Sequence, residues 1–164
     1  MSPDPVPNAF ARHNHRRCRI DAMQQARAHC RAAGLRLTPV RARVLELLLE
    51  NHRALGAYEL LQRLNAEGLG SQPPTVYRAL DFLGRQGLVH KVERLNAFTA
   101  CCQTDPGHEP MFLICEECHR VAETPLERLM PEIDRDARAL GFRVKQHVVE
   151  VLGRCGDCQG GSGR

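Results

Sequence analysis

The segments C-E-E-C at 115–118 and C-G-D-C at 155–158 carry the clearest chemistry in this chain. A two-residue spacer lets both thiolates of a pair face one ion. Four such thiolates (Cys115, Cys118, Cys155 and Cys158) complete the closed tetrahedral shell of a structural zinc. Thirty-six residues separate the inner cysteines, so the ion would staple the end of a strand to the C-terminal tail. Such a site contributes on the order of 10 kcal/mol to folding in small zinc peptides. A redox C-x-x-C belongs at a βα junction and needs no second pair, which disfavours a thiol oxidoreductase.

With that quartet assigned, "NAFTACCQTDPGHEP" at 96–110 places two further cysteines ahead of a histidine. His90, Cys101, His108 and Glu123 are the nearby ligand types still open. One thiolate, two imidazoles and one carboxylate would fill a four-coordinate shell with no position left for catalytic water. Strand alternation turns Cys102 away from Cys101; it is an alternative ligand or a redox-vulnerable neighbour. No H-E-x-x-H is present, since His108-Glu109 runs into Pro110, and no H-x-E precedes a P-C-x-x-C. Zinc hydrolase and deaminase chemistry are therefore not expected.

The elements that must hold these groups follow from pattern. Thr38 as N-cap and Pro39 at the first helical position open a helix, whose apolar stripe is Val40, Val44, Leu47 and Leu48. A helix over about 21–33 precedes it, closed by Gly34. "GAYELLQRLNAEG" and "PPTVYRALDFLGRQG" repeat the periodicity, the latter through Val76, Ala79, Leu80 and Leu83. Two β-prone runs turning near Asn96 then complete the order of a winged helix-turn-helix. The stripe on the last of these helices leaves Thr75, Arg78 and Arg85 outward, with Tyr77 on the flank, as a DNA-reading helix requires.

After "DPGHEP" come "MFLIC", "RVAET", a helix over about 126–139 and the strand-like "FRVKQHVVEVL". The expected fold is α+β: an N-terminal winged-helix DNA-binding domain at 20–102, a hinge at 103–110, and a small dimerisation and metal-binding domain at 111–158. Residues 1–19, with three prolines and four arginines, read as a disordered arm, and 159–164 as a tail.

Charge agrees with that division. Residues 1–100 hold 15 Lys and Arg against 8 Asp and Glu, a net +7, and residues 101–164 hold 8 against 11, a net −3. A basic front half suits a polyanionic partner and an acidic back half does not. No run approaches the ~20 apolar residues of a membrane span. The basic N-terminal stretch follows no apolar segment, so the chain is expected in the cytosol, where eight cysteines point to metal before disulfides.

"RLTPVRARVLELL", "AYELL", "PPTVYRALDFLGRQGLVHKVE" and "MFLICEECHRV" resemble the ferric-uptake-regulator family, especially its zinc-uptake branch, from about residue 21 to 158. The resemblance implies that Tyr77 and Arg78 enter the major groove and that Tyr58 lies at the DNA face. It also implies a regulatory zinc on His90, Cys101, His108 and Glu123, a second, structural zinc on the four paired cysteines, and a homodimer that represses zinc-uptake genes. Iron sensors of the family carry an "HHDHLIC"-like run where this chain has "GHEPMFLIC". Exchanging imidazoles for a thiolate softens the site and favours zinc over an iron- or peroxide-responsive alternative.

Overall fold

The structure, a computed structural model, describes residues 9–10, 14–69, 72–101 and 109–160. Helix α1 (His15–Ala32) starts where the Asn14 side chain accepts from the Arg17 amide at 3.2 Å. It therefore opens inside the stretch expected as a disordered arm. A polar cap needs no apolar periodicity, which is why the pattern alone starts the helix too late. Gly34, at φ 66°, closes it.

Helix α2 (Pro39–Glu50) is capped by Thr38, whose hydroxyl accepts from the Arg41 amide at 3.4 Å. Helices α3 (Ala57–Ala66) and α4 (Pro73–Arg85) pack against it. Leu47, Leu60, Leu64, Leu83, Val44 and Val76 are the largest wholly buried side chains of this core. Each contributes about 1.5–3 kcal/mol by leaving water. Strands β1 (Val89–Val92) and β2 (Ala97–Ala100) form an antiparallel hairpin whose turn uses Asn96 at φ 45°. Leu55 exchanges both backbone hydrogen bonds with Phe98, at 2.9 Å each, which ties the hairpin to the helices.

The second sheet has the order β4-β3-β5. Strand β3 (Pro110–Cys115) lies antiparallel to β4 (Val121–Pro125) and parallel to β5 (Val149–Gly153). Helix α5 (Met130–Ala139) lies between β4 and β5 in the chain, and the short α6 (Gly156–Gln159) follows. Helix α5 begins at Met130 rather than near 126, because Pro131 lacks an N–H and is tolerated only in a first turn. The strand expected over 142–152 shortens to β5. Its first half is drawn off the sheet where the His147 ring meets Glu109 and Asp134 at 2.5 and 3.0 Å.

The two sheets meet. Val92, Phe112, Ile114 and Val121 form one buried apolar cluster, with Ala54 and Leu95 against it. The Val121 amide donates to the His52 carbonyl at 2.8 Å, and Arg53 bridges Arg120. No side chain of α5 is buried, and Ile133, Leu140, Phe142, Val151 and Leu152 remain exposed. A face of that size on so small a domain marks an association surface.

Candidate metal centres and nucleic-acid face

Cys115 ends β3, Cys118 lies in the turn after it, and Cys155 and Cys158 start and occupy α6. The sequence spacing brings all four together: their Sγ atoms lie within 4.8 Å of one another. No disulfide links cysteines among the described residues. The turn is tight enough to hold His119 at φ 57°.

The local field favours anionic sulfur. Burial pushes the Cys115 thiol up, but the backbone N–H groups of Cys118, Cys155 and Glu117 outweigh it and hold its pKa at about 6. Burial also raises Cys118, yet the Arg120 guanidinium brings it below its ordinary value. The Cys158 thiol is pushed up to about 12, by its hydrogen bond with Cys155 and then by burial. Two thiols therefore ionise readily while a third resists adding charge. A dication relieves that conflict, and four thiolates are the donor set of a closed zinc shell.

Arg120 carries a role the sequence reading did not assign. Its Nε donates to Cys118 Sγ and its Nη2 to Cys155 Sγ, both at 3.3 Å, while Nη2 also reaches Asp157 at 2.6 Å. Nη1 holds the Ala9 carbonyl at 3.4 Å. A basic residue two positions after a C-x-x-C was the only local signal for it.

The second cluster joins the two sheets. His90 on β1, Cys101 just past β2 and Glu123 on β4 present ligand atoms within 4.8 Å of one another. Cys101 Sγ lies 3.6 Å, and His90 Nε2 3.8 Å, from Glu123 Oε1. Cys101 is set there by its amide, which donates to Leu88 at 2.9 Å. The His90 ring tilts against Phe112 with centroids 5.8 Å apart. Thiolate, imidazole and carboxylate together suit zinc. His108 and Cys102 lie outside the described residues, as does most of the expected hinge.

On the opposite side of the hairpin, Tyr58 and Tyr77 are 71% and 58% exposed. With Lys91, Asn96 and Phe98 they line a shallow cavity of ≈ 450 Å³. Arg78 projects outward beside Tyr77, Thr75 is half-buried at the start of α4, and Arg85 pairs with Asp81 at 2.9 Å. Lys91 and Asn96, on the hairpin, extend the face beyond the residues expected from α3 and α4.

A winged-helix domain seated on a small α+β domain, with ligand clusters within and between them, defines a metal-responsive regulator architecture. The Ferric uptake regulator family profile matches residues 32–152, and the chain belongs to that family. It is 39% identical over 139 residues to the zinc uptake regulation protein of Escherichia coli (strain K12), covering 84% of this chain and 81% of that one. A solved zinc uptake regulator complexed with zinc and DNA superposes with TM-score 0.80 at 38% identity, over 86% of this chain and 95% of that one. Holo XcZur gives 0.76 and apo XcZur 0.51, both at 40% identity, covering 85% and 87% of this chain and 97% and 99% of theirs. With identity equal, the arrangement of this chain is nearer to the holo form.

Proposed function

We propose that this chain is a zinc-responsive, dimeric transcriptional repressor of the bacterial cytoplasm, not an enzyme. It binds palindromic operator DNA when zinc-loaded and represses zinc-uptake genes. One observation carries the reading: His90 and Cys101 of the winged-helix half converge with Glu123 of the other half. The similarity to a zinc uptake regulator bound to zinc and DNA supports it. Among the described residues no helix is long and apolar enough to cross a membrane.

Two zinc ions per subunit fit the donor sets. Cys115, Cys118, Cys155 and Cys158 would hold the structural one; His90, Cys101, Glu123 and, by resemblance, His108 would hold the regulatory one. An ion at either site supplies charge neutralisation and a fixed meeting point for its ligands. Because the regulatory ligands come from both halves, they converge in only one relative placement of the domains. Ligand binding then favours that placement by differential affinity. Moving the equilibrium from mostly open to mostly closed needs about 5.5 kcal/mol of preference.

In the closed placement Tyr58, Thr75, Tyr77 and Arg78 face the DNA. A second copy covering the exposed apolar surface around α5 and β5 would set two recognition helices against two half-sites. The experiment is a gel shift on a zinc-uptake promoter at buffered free zinc, repeated with iron, manganese and a chelator. Retardation with zinc that chelator abolishes is expected. Retardation that ignores metal, or follows iron instead, would overturn the reading.

A further inference from the structure

Phe112 on β3 is in register with Glu123 on β4 and with Glu150 on β5. In-register neighbours share a face, so the three side chains form one row across the sheet. The β1–β2 hairpin lies along that row. At one end Glu123 meets His90 and Cys101; in the middle Phe112 packs with Val92 and Leu95. At the other end the Glu150 carboxylate accepts from two successive amides of the hairpin turn, Oε1 from Glu93 at 2.6 Å and Oε2 from Arg94 at 2.9 Å.

We infer that Glu150 is a positioning residue for the wing, a grip that fixes the closed domain arrangement independently of the metal ligands. The inference rests on the reading that closure governs operator binding. Three observations support it. The two contacts are charge-assisted and bidentate, so they fix orientation as well as distance. They join residues 56 and 57 positions apart, across the two domains. They also hold backbone amides, so the grip does not depend on which side chains occupy positions 93 and 94. A two-stranded hairpin is marginal by itself, and this one has strands of four residues. Its tip needs an external support to keep one position.

By linkage, a residue that stabilises the closed state raises the apparent affinity of everything that selects it. Glu150 would thus strengthen operator binding and zinc binding at the His90–Cys101–Glu123 cluster. It would leave the four-cysteine cluster unchanged.

The test uses the full-length protein with Glu150→Ala and Glu150→Gln. Amide hydrogen exchange is followed at residues 92–96, with operator affinity and zinc affinity at each cluster. Exchange should rise at Glu93 and Arg94 in both variants, less for Gln, which keeps one acceptor. The free zinc needed for half-maximal operator binding should rise about tenfold for Ala, the scale of two exposed charge-assisted bonds, because the closed fraction before zinc binds is lower. Melting temperature, dimer mass and zinc at the four cysteines should not change. Unaltered exchange would overturn the grip, and raised exchange with a wild-type zinc requirement for operator binding would overturn its positioning role. If operator binding by the wild type proved indifferent to zinc, the repressor reading would fail. The exchange result, read with solution scattering of the metal-free variants, would still decide the grip: no added domain opening would refute it.

Discussion

Glu123 and Glu150 flank Phe112 in one row of the sheet and face opposite ends of the same hairpin. One carboxylate belongs to a ligand cluster and the other to a hydrogen-bonded seat. The row joins the two halves of the chain beside the Val121–His52 and Arg53–Arg120 contacts, and most of what can be tested starts from it.

Cys101→Ser removes the sulfur that lies 3.6 Å from the Glu123 carboxylate. The side chain is not part of either apolar cluster, so the variant should fold and dimerise. Zinc-dependent operator binding should be lost. Equal operator affinity for both proteins at controlled free zinc would end the switch proposal.

Cys115→Ser acts elsewhere. The residue is 1% exposed and its sulfur accepts from the Cys155 amide at 3.4 Å. The variant should lose one zinc per subunit and unfold or dissociate the C-terminal half, read by metal analysis, thermal melting and dimer mass. Arg120→Ala should be milder. It should weaken zinc retention at the four cysteines by roughly 10–100-fold, the usual cost of an outer partner of a metal ligand, in competition with a chromophoric chelator. Wild-type retention would show that the guanidinium contacts are incidental.

Arg78→Ala should weaken operator binding by roughly 1–3 kcal/mol and relax the preference for operator over random DNA. If both DNAs lose the same amount, Arg78 contacts phosphate only. Lys91→Ala, on the hairpin side of the same face, should instead lower the salt dependence of binding without changing preference.

His147 makes stability depend on pH. Its two ring nitrogens each face a carboxylate, which requires two N–H donors and so the imidazolium. Asp134 first, and Glu109 after it, raise its pKa above the ordinary value. A raised pKa gives stabilisation that is complete below the unfolded value of about 6.5 and disappears as pH climbs through the folded one. The melting-temperature gap between wild type and His147→Gln should therefore be widest below about pH 6.5 and shrink steadily as pH rises above it. A gap that grows with pH would contradict this.

What could be read from the chain in advance was whatever leaves a local signature. The C-x-x-C pairs foretold four sulfurs in one place, and the Thr38–Pro39 start and the Val76, Ala79, Leu80, Leu83 stripe appear where their chemistry requires. His90, Cys101 and Glu123 were grouped only as ligand types left open, and it took the family resemblance to assign them to one regulatory site, because 33 positions separate the outer two. Glu150 had no signature and Arg120 only its place two positions after a C-x-x-C, since a carboxylate on a strand or a guanidinium after a turn looks like ordinary surface. The true starts of α1 and β5 were missed for a related reason: a polar cap and a half-buried ion pair override apolar pattern.

His90 and Lys91 are consecutive on β1, and strand alternation sends them to opposite sides of the hairpin. His90 turns towards Glu123, and Lys91 lines the cavity with Tyr58 and Tyr77. On the proposed function, input and output are thus one peptide unit apart, and no relay through the protein interior is required between them. A tilt of the hairpin imposed at one surface is already a tilt at the other, so the response can be as prompt as a single rigid-body motion.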